Sequence, residues 1–237
     1  MYKYPIDGIM ITGYPSLSDA VEDIVTNYVG ICSSATAVNP EKIMISRQDQ
    51  FLRSSLCTSE ICYPDGIGVV NLLNKKSGKS FSRIPGCELW ESLMVSAADR
   101  QVPVFLIGGT PAVIDETVKK LKDTVCANIV GSSHGYFEDD HFLISQIINS
   151  GAKIVSVAMG SPRQELFINK CRSQKIDAFF MGVGGTYDVY TGNVKRAPKL
   201  FRDNGFEWLY RLIVQPRRIF RQFNLIKFYF LSFFNKI

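Results

Sequence analysis

One carboxylate in the sequence stands where a reactive group is expected. Asp65 lies in the run Cys62-Tyr63-Pro64-Asp65-Gly66-Ile67-Gly68-Val69-Val70, at the end of an expected strand and before an apolar helix. A carboxylate in that place is suited to act as a general base that takes a proton from a substrate hydroxyl. Asp is also a common N-cap, because its side chain accepts a hydrogen bond from the first turn of a helix. The position alone favours the cap slightly, and both interpretations stay open at this point.

Small residues follow several expected strands. They occur at Asp65-Gly66, Gly108-Gly109, Gly160-Ser161-Pro162 and Gly182-Val183-Gly184-Gly185. Such turns let backbone N–H groups approach a phosphate closely, although a glycine after a strand most often makes only a tight turn. Four of them in one chain make a nucleotide-type ligand as good an interpretation as plain turns. The last turn lacks the complete spaced fingerprint of a dinucleotide site, so an NAD-dependent enzyme is the weaker interpretation.

A polar cluster opens the helix expected after the third of these turns. Arg163, Gln164 and Glu165 follow Pro162 directly. These side chains are suited to hold a sugar or the edge of a base, and simple capping of the helix is the alternative.

The basic residues of the chain are concentrated at its C-terminal end. Residues 195–237 contain ten Lys or Arg and two Asp or Glu, a net charge of +8, whereas residues 1–194 carry −3. The same segment holds eight of the sixteen Phe. This pattern favours binding to an anionic lipid surface, a nucleic acid or an acidic protein patch. A helix that packs its Phe residues on the body is the alternative, and nucleic acid is disfavoured because no base-reading module is recognisable.

The last apolar run, residues 219–234, is too short to span a bilayer, which needs about 20 apolar residues. A segment lying in the headgroup region fits this length better. Arg is also the side chain best shaped to clamp a diphosphate. The arginines of the segment therefore have a second expected role in binding a substrate.

The composition is that of a folded protein. With 237 residues, 46% hydrophobic and 21% charged, the chain is not disordered, collagen-like or a coiled coil. The six Cys form no C-x-x-C pair and only two His accompany them, which argues against a zinc site. The N-terminal run lacks the apolar core of a signal peptide. We therefore expect buried free thiols in a reducing cytoplasm.

The elements that would position these residues alternate between strands and helices. Strands are predicted at residues 8–12, 31–38, 102–109, 128–130, 154–158 and 178–183, and helices at 17–28, 111–122, 139–149 and 162–173. This alternation is typical of βαβ units. We expect an α/β body over residues 1–194, with a Rossmann-like, doubly wound, mostly parallel sheet. A C-terminal helical, basic-aromatic appendage follows over residues 195–237.

Taken together and in this order, the motifs resemble those of the bacterial WecG/TagA/CpsF glycosyltransferases. No single motif is specific, but the set is, and it runs through nearly the whole chain. The residues that carry the resemblance are Asn39-Pro40-Glu41, Pro64-Asp65-Gly66-Ile67-Gly68-Val69-Val70, Arg83-Ile84-Pro85-Gly86, Gly108-Gly109, Gly135-Tyr136-Phe137, Gly160-Ser161-Pro162-Arg163-Gln164-Glu165, Gly182-Val183-Gly184-Gly185, Arg196-Ala197-Pro198 and Glu207-Trp208-Leu209-Tyr210-Arg211.

The resemblance implies an inverting hexosyltransferase that needs neither a metal ion nor another cofactor. Its donor would be a UDP-sugar of the N-acetylmannosamine type, or a uronic or glucosyl one. Its acceptor would be a polyprenyl-diphosphate-linked saccharide of bacterial cell-surface polysaccharide synthesis. Such an enzyme is expected to be cytoplasmic, peripheral on the inner face of the plasma membrane and without a nucleic-acid partner. A homo-oligomer stays open.

The resemblance also implies roles for individual residues. Asp65 becomes the expected catalytic base, and Thr36 and Arg83 are further expected catalytic residues. The expected substrate-binding residues are Asn39, Gly108, Gly109, Gln164, Glu165, Gly184, Gly185, Arg211, Arg218 (with Arg217 as its alternative) and Arg221.

One position departs from the family pattern. The family usually has a Thr two residues before the Asn that matches Asn39, and Ala37 stands there with Thr36 beside it. Neighbours in a strand face opposite sides, so Thr36 replaces that hydroxyl only if a bulge changes the register. Otherwise the protein works without it.

Two functions from other classes remain as alternatives. A nucleotide-cofactor-binding α/β oxidoreductase would explain the glycine turns. A non-catalytic membrane or nucleic-acid adaptor would explain the basic C-terminal segment.

Overall fold

The computed structural model of the chain describes residues 2–198, 201, 209–210, 212, 219–234 and 236–237, without the side chains of residues 219–222. The strands are β1 (Tyr2–Ile6), β2 (Ile9–Gly13), β3 (Ser33–Val38), β4 (Ile61–Pro64), β5 (Val104–Gly108), β6 (Ile129–Ser133), β7 (Ile154–Ala158) and β8 (Phe179–Gly182). The helices are α1 (Leu17–Asn27), α2 (Pro40–Ser46), α3 (Gln50–Thr58), α4 (Ile67–Ser77), α5 (Gly86–Asp99), α6 (Pro111–Val125), α7 (Asp140–Ser150), α8 (Arg163–Ser173), α9 (Thr186–Thr191) and, in the C-terminal segment, α10 (Ile219–Phe233).

Strands β3 to β8 form one parallel sheet in the order β4-β3-β8-β7-β5-β6. β8 lies between β3 and β7 and pairs with both, so that Met181 is opposite Ala35 on one side and Ser156 on the other. Every residue of β5, β7 and β8 is buried. Continuous burial of this kind is typical of parallel strands that helices cover on both faces.

Helices do cover both faces of the sheet. On one face α1, α5 and α6 bury Ile24, Trp90 and Leu121 against the strands, and α9 joins them. On the other face α7 and α8 bury Ile147 and Phe167. The predicted α/β, Rossmann-like doubly wound fold is therefore confirmed. The division of the chain after residue 194 stays a prediction.

The first two strands form a separate antiparallel hairpin that packs beside β4. Asp7 and Gly8 make its two-residue turn with φ values of +52° and +74°. Positive φ at both central residues is what a tight hairpin turn requires, and Asp-Gly is a favoured pair for it. The strand predicted at residues 8–12 is thus present as β2. It lies outside the parallel sheet because the turn pairs it with β1.

Helix α10 docks against α2 with one of its sides. Phe228 is fully buried in a core cluster that includes Ile43 of α2, and Leu231 packs beside it. Tyr229 lies on α4, where a Cβ added at Gly68 would be 3.0 Å from the tyrosine hydroxyl. No helix in the described part of the chain has the length and apolar composition needed to cross a membrane.

All six cysteines carry free thiols. Cys62 and Cys171 are buried, and burial raises the pKa of each thiol to about 12. Cys57 lies on the outer side of α3 and Cys126 ends α6, and both are exposed. The expectation of buried thiols therefore holds for Cys62 and Cys171 and is wrong for Cys57 and Cys126.

Candidate active site

The carboxyl ends of the parallel strands bring most of the predicted site residues to one edge of the sheet. Asp65 follows β4, Asn39 follows β3 and Gly184 follows β8. Gly108-Gly109 ends β5, and Gln164 lies in the first turn of α8, which follows β7. Open α/β sheets bind their ligands at this edge.

The Asp65 carboxylate is half-buried and is held from α5. Its Oδ1 atom accepts a hydrogen bond from the N–H of Gly86 at 3.3 Å, and Gly86 is the first residue of that helix. A negative charge is stabilised at a helix N-terminus. The N-cap of α4 is Gly66 and not Asp65. The interpretation of Asp65 as the cap of α4 is therefore wrong, because its carboxylate binds the start of a different helix.

The turn after β4 packs tightly on the turn after β3. A Cβ added at Gly66 would lie 2.7 Å from Cδ of Pro40, so only glycine permits this approach. Asn39 is the N-cap of α2, and its Oδ1 accepts a hydrogen bond from the N–H of Lys42 at 2.8 Å. The Asn39 side-chain oxygen thus has a structural partner, and the cap fixes the start of α2 next to Asp65.

A buried ion pair joins the turns after β3 and β7. Nζ of Lys42 lies 2.9 Å from Oε1 of Glu165, and the Glu165 side chain is only 3% exposed. Gln164 donates a hydrogen bond to the same carboxylate oxygen at 3.2 Å. Burial alone would raise the pKa of Glu165, but Lys42 and Gln164 outweigh it, and the pKa is lowered. Oε2 of Glu165 is buried without a hydrogen-bond partner among the described residues.

Gln164 also holds the glycine turn after β8. Its Oε1 accepts a hydrogen bond from the N–H of Gly184 at 2.9 Å. A Cβ added at Gly184 or at Gly185 would meet no atom within 4 Å. The described residues therefore leave the outer side of this turn open, as a ligand that approaches the backbone requires.

The turn after β5 is closed by packing instead. Gly108 has a φ of +123°, and an added Cβ would lie 2.2 Å from the carbonyl oxygen of Ala158. Gly109 donates its N–H to that same oxygen at 3.2 Å, and its carbonyl accepts from the N–H of Gly135 at 2.9 Å. These glycines are required for close packing of the turns after β5, β6 and β7.

The two further predicted catalytic residues differ in placement. Arg83 lies next to Ile84, whose N–H donates to the carbonyl of Pro64 at 2.9 Å, so the backbone sets it beside the end of β4. Thr36 pairs with Cys62 in a regular register without a bulge. Its hydroxyl shares a hydrogen bond of 2.8 Å with the Ser59 hydroxyl, and Thr36 is buried. The structure therefore does not bring the Thr36 hydroxyl to the strand ends.

The sequence did not predict that the first turn of α5 contacts several separate parts of the site. Besides Gly86, its Cys87 Sγ lies 3.3 Å from the Thr186 hydroxyl at the start of α9. Its Glu88 pairs with Arg196, with 2.6 Å between Oε1 of Glu88 and Nη2 of Arg196. The sequence signal was the Arg83-Ile84-Pro85-Gly86 motif, but nothing in it names these distant partners.

The remaining predicted residues cannot be placed in the site. Arg211, Arg217 and Arg218 lie outside the described residues, and so does the side chain of Arg221. Over the described residues, no three or more His, Cys, Asp and Glu side chains are grouped as metal ligands.

A comparison of the sequence with models of protein families identifies the family of the chain. The family model described as the glycosyl transferase WecG/TagA/CpsF family matches residues 4–237. The chain belongs to this family. The resemblance in the motifs is thereby confirmed over nearly the whole chain.

Membership of the WecG/TagA/CpsF family makes the protein a glycosyltransferase, which takes a sugar from a donor and passes it to an acceptor. A dinucleotide-dependent oxidoreductase and a non-catalytic adaptor are set aside on this ground. The roles of individual residues stay predictions, which the geometry above makes specific enough to test.

Proposed function

We propose that the protein transfers a hexosyl unit from a UDP-sugar to a polyprenyl-diphosphate-linked saccharide, as a step of bacterial cell-surface polysaccharide synthesis. One observation carries the proposal. The half-buried Asp65 carboxylate lies at the sheet edge that also presents the open Gly184-Gly185 turn, within a chain of a glycosyltransferase family. The donor sugar is of the N-acetylmannosamine type, or a uronic or glucosyl one.

The reaction is a single displacement with inversion at the anomeric carbon. Asp65 takes the proton of the acceptor hydroxyl while its oxygen forms a bond to C1 of the sugar. The bond from C1 to the diphosphate oxygen breaks, and UDP leaves with that electron pair. The backbone N–H of Gly185, beside the Gly184 N–H that Gln164 accepts, and arginines of the C-terminal segment stabilise the charge on the leaving diphosphate. We propose that no metal ion takes part.

Two features support Asp65 rather than another carboxylate as the base. Glu165 lies at the same edge, but its side chain is buried, so a substrate hydroxyl does not reach it. Its pairing with Lys42 favours the charged form of the carboxyl group. Asp65 is half-buried, and its Oδ1 atom accepts the Gly86 N–H at 3.3 Å. A base needs a defined position together with access to the substrate.

We further propose that α10 attaches the enzyme to the inner face of the plasma membrane. The side of α10 away from α2 carries an apolar stripe with exposures between 60% and 79%, made of Phe223, Ile226, Phe230 and Phe233. The spacing of three and four residues places these side chains on one helix face. The net charge of +8 on residues 195–237 complements an anionic bilayer. Such a stripe suits a helix that lies in the interface.

The test of the transfer reaction is a matrix of donors and acceptors. The purified chain is incubated with a panel of UDP-sugars and with lipid-diphosphate saccharides, and the products are weighed by mass spectrometry. We expect one donor to add one hexosyl mass to a lipid-linked acceptor and to release UDP. The anomeric configuration of the product, read by NMR, must be opposite to that of the donor. Release of UDP with no lipid-linked product, or retention of configuration, contradicts the proposal.

A further inference from the structure

The first turn of α5 touches three separate parts of the candidate site with three consecutive residues. Gly86 donates its N–H to Asp65 after β4. Cys87 contacts Thr186, which follows the glycine turn of β8. Glu88 pairs with Arg196 at the beginning of the C-terminal segment. One helical turn therefore connects the proposed base, the proposed diphosphate turn and the segment that leads to α10.

We propose that Glu88 and Arg196 are positioning residues, which set the geometry of Asp65 through the first turn of α5. The proposal rests on the proposed function, since it assigns a role to the catalytic aspartate of that reaction. It adds that the start of the C-terminal segment is connected to the base by a defined ion pair. Neither Glu88 nor Arg196 contacts the reacting atoms in this scheme.

The contact between Gly86 and Asp65 is sensitive to small movements. Its length of 3.3 Å lies just beyond the usual range for N–H···O bonds, which extends to about 3.2 Å. A shift of the turn by a few tenths of an ångström therefore removes the bond. The Glu88–Arg196 pair acts against such a shift, because it ties the third residue of the same turn to a separate segment.

The C-terminal side of this pair is firmly seated. The Arg196 side chain is 19% exposed, and Ala197 beside it is buried. The neighbouring Val194 N–H donates to the carbonyl of Asp188 in α9 at 2.9 Å. A negative side chain at Glu88 also suits the first turn of a helix. The ion pair therefore joins two fixed parts rather than a fixed part and a loose one.

The direct test is amide hydrogen exchange at Gly86, followed by NMR in the full chain. Glu88→Gln removes the charge pair at constant side-chain size, Arg196→Gln removes it with a shorter polar side chain, and we expect Gly86 to exchange about tenfold faster in each. Asp65→Ala removes the acceptor and sets the upper limit of the rate. The matched control is Arg100→Gln, which removes the exposed pair with Glu22 just after the other end of α5. Exchange at Gly86 in the control should equal that of the wild type.

The kinetic test separates positioning from substrate binding. We expect Arg196→Gln to lower kcat about tenfold while KM for the UDP-sugar changes less than about twofold. The exchanged pair Glu88→Arg with Arg196→Glu should recover a large part of kcat, because the attraction is restored. A Gly86 exchange rate and a kcat that match the Arg100→Gln control overturn the proposal.

The exchange measurement also keeps this proposal distinct from the proposed function. If Asp65→Asn is fully active, Asp65 is not the base and the proposed reaction is wrong as written. The dependence of Gly86 exchange on Arg196 would still decide whether the turn positions Asp65.

Discussion

Nζ of Lys42 lies 2.9 Å from Oε1 of Glu165, although 123 positions separate these residues in the chain. Lys42 belongs to α2, which follows β3, and Glu165 belongs to α8, which follows β7. Since β8 lies between those two strands, the pair passes across the end of β8. The pair therefore lies beside the hydrogen bond from the Gly184 N–H to the Gln164 side chain. A charged pair that is this well buried therefore supports the turn that we propose for the diphosphate.

Removal of one partner of this pair should be strongly destabilising. Lys42→Met leaves the Glu165 carboxylate buried without its cation, which costs about 3–5 kcal/mol of the free energy of unfolding. The matched control is Lys170→Met, since Lys170 pairs with Asp140 but its side chain is 59% exposed. An exposed pair contributes about 0–1 kcal/mol. Urea denaturation of both variants checks the difference, and equal losses would contradict it.

The same pair predicts how stability depends on pH. The pKa of Glu165 is lowered in the folded protein, below its ordinary value of 4.5, because Lys42 and Gln164 favour the charged form more than burial opposes it. A lowered pKa contributes stability that is fully present above pH 4.5 and is lost as the pH falls through the folded value. Glu165→Gln should therefore lose less stability than the wild type between pH 5 and acid conditions. Unfolding curves over that range, identical in slope for both proteins, would refute this assignment.

Asp65→Asn should nearly abolish transfer without loss of the fold. The amide oxygen of Asn still accepts the Gly86 N–H, but an amide does not take a proton from the acceptor hydroxyl. We expect kcat to fall about 10²–10⁴-fold, as for other general bases. UDP binding, measured by calorimetry, should change little. The matched variant is Asp99→Asn at the far end of α5, which should keep full activity.

Gly108→Ala should be far more damaging than an alanine at a comparable glycine. Its Cβ would lie 2.2 Å from the Ala158 carbonyl oxygen, in a backbone conformation that disfavours side chains. We expect a loss of about 4 kcal/mol or more, or no soluble protein. Gly151→Ala has the same kind of positive φ but meets no atom within 4 Å, and should cost about 1–2 kcal/mol. Thermal unfolding of the pair separates the clash from the backbone strain.

The exposed stripe on α10 should decide binding to lipid. Phe230→Ser with Phe233→Ser should reduce co-sedimentation with phosphatidylglycerol vesicles by at least about tenfold, since each buried ring contributes about 1.5–3 kcal/mol. Phe142→Ser removes an equally exposed ring from α7 and is the matched control. Binding that is unchanged in the double variant contradicts the membrane proposal.

A variant on the side of α10 that packs against α2 should lower the stability of the protein rather than its binding to lipid. Phe228 is fully buried against α2, so Phe228→Ala should lower the free energy of unfolding by about 3–5 kcal/mol. Complete removal of the C-terminal segment mixes both effects. Point variants on the two sides of the helix keep them apart.

Much of the fold could be predicted because the signals are local. The apolar run at residues 154–158 agrees with β7 at both ends, and the helix predicted at residues 162–173 is α8 to within one residue. Strand β1 was not predicted, and neither were helices α3, α5 and α9. The Asp7-Gly8 turn was present in the sequence as a hairpin signal and explains why β2 lies outside the parallel sheet.

The candidate site could be predicted only in part because its contacts are not local. The glycine turns and Asp65 were found, since each stands at the end of a predicted strand. Asp65 accepts a hydrogen bond from Gly86, 21 positions away, and Glu88 pairs with Arg196, 108 positions away. Hydrophobic periodicity in a sequence does not indicate contacts between residues so far apart in the chain. The orientation of Thr36 toward Ser59 likewise depends on how β3 and the end of α3 pack.

The place of β8 in the sheet has a consequence for how the protein is made. β8 is the last strand to leave the ribosome among the residues that the structure describes, yet it joins β4-β3 to β7-β5-β6. Until residues 179–182 emerge, β3 and β7 each expose an unpaired backbone edge, which is prone to aggregate. The nascent chain thus carries two incomplete half-sheets from the emergence of β7 until that of β8. The glycine turn of the active edge forms in the same late step that closes the gap between them.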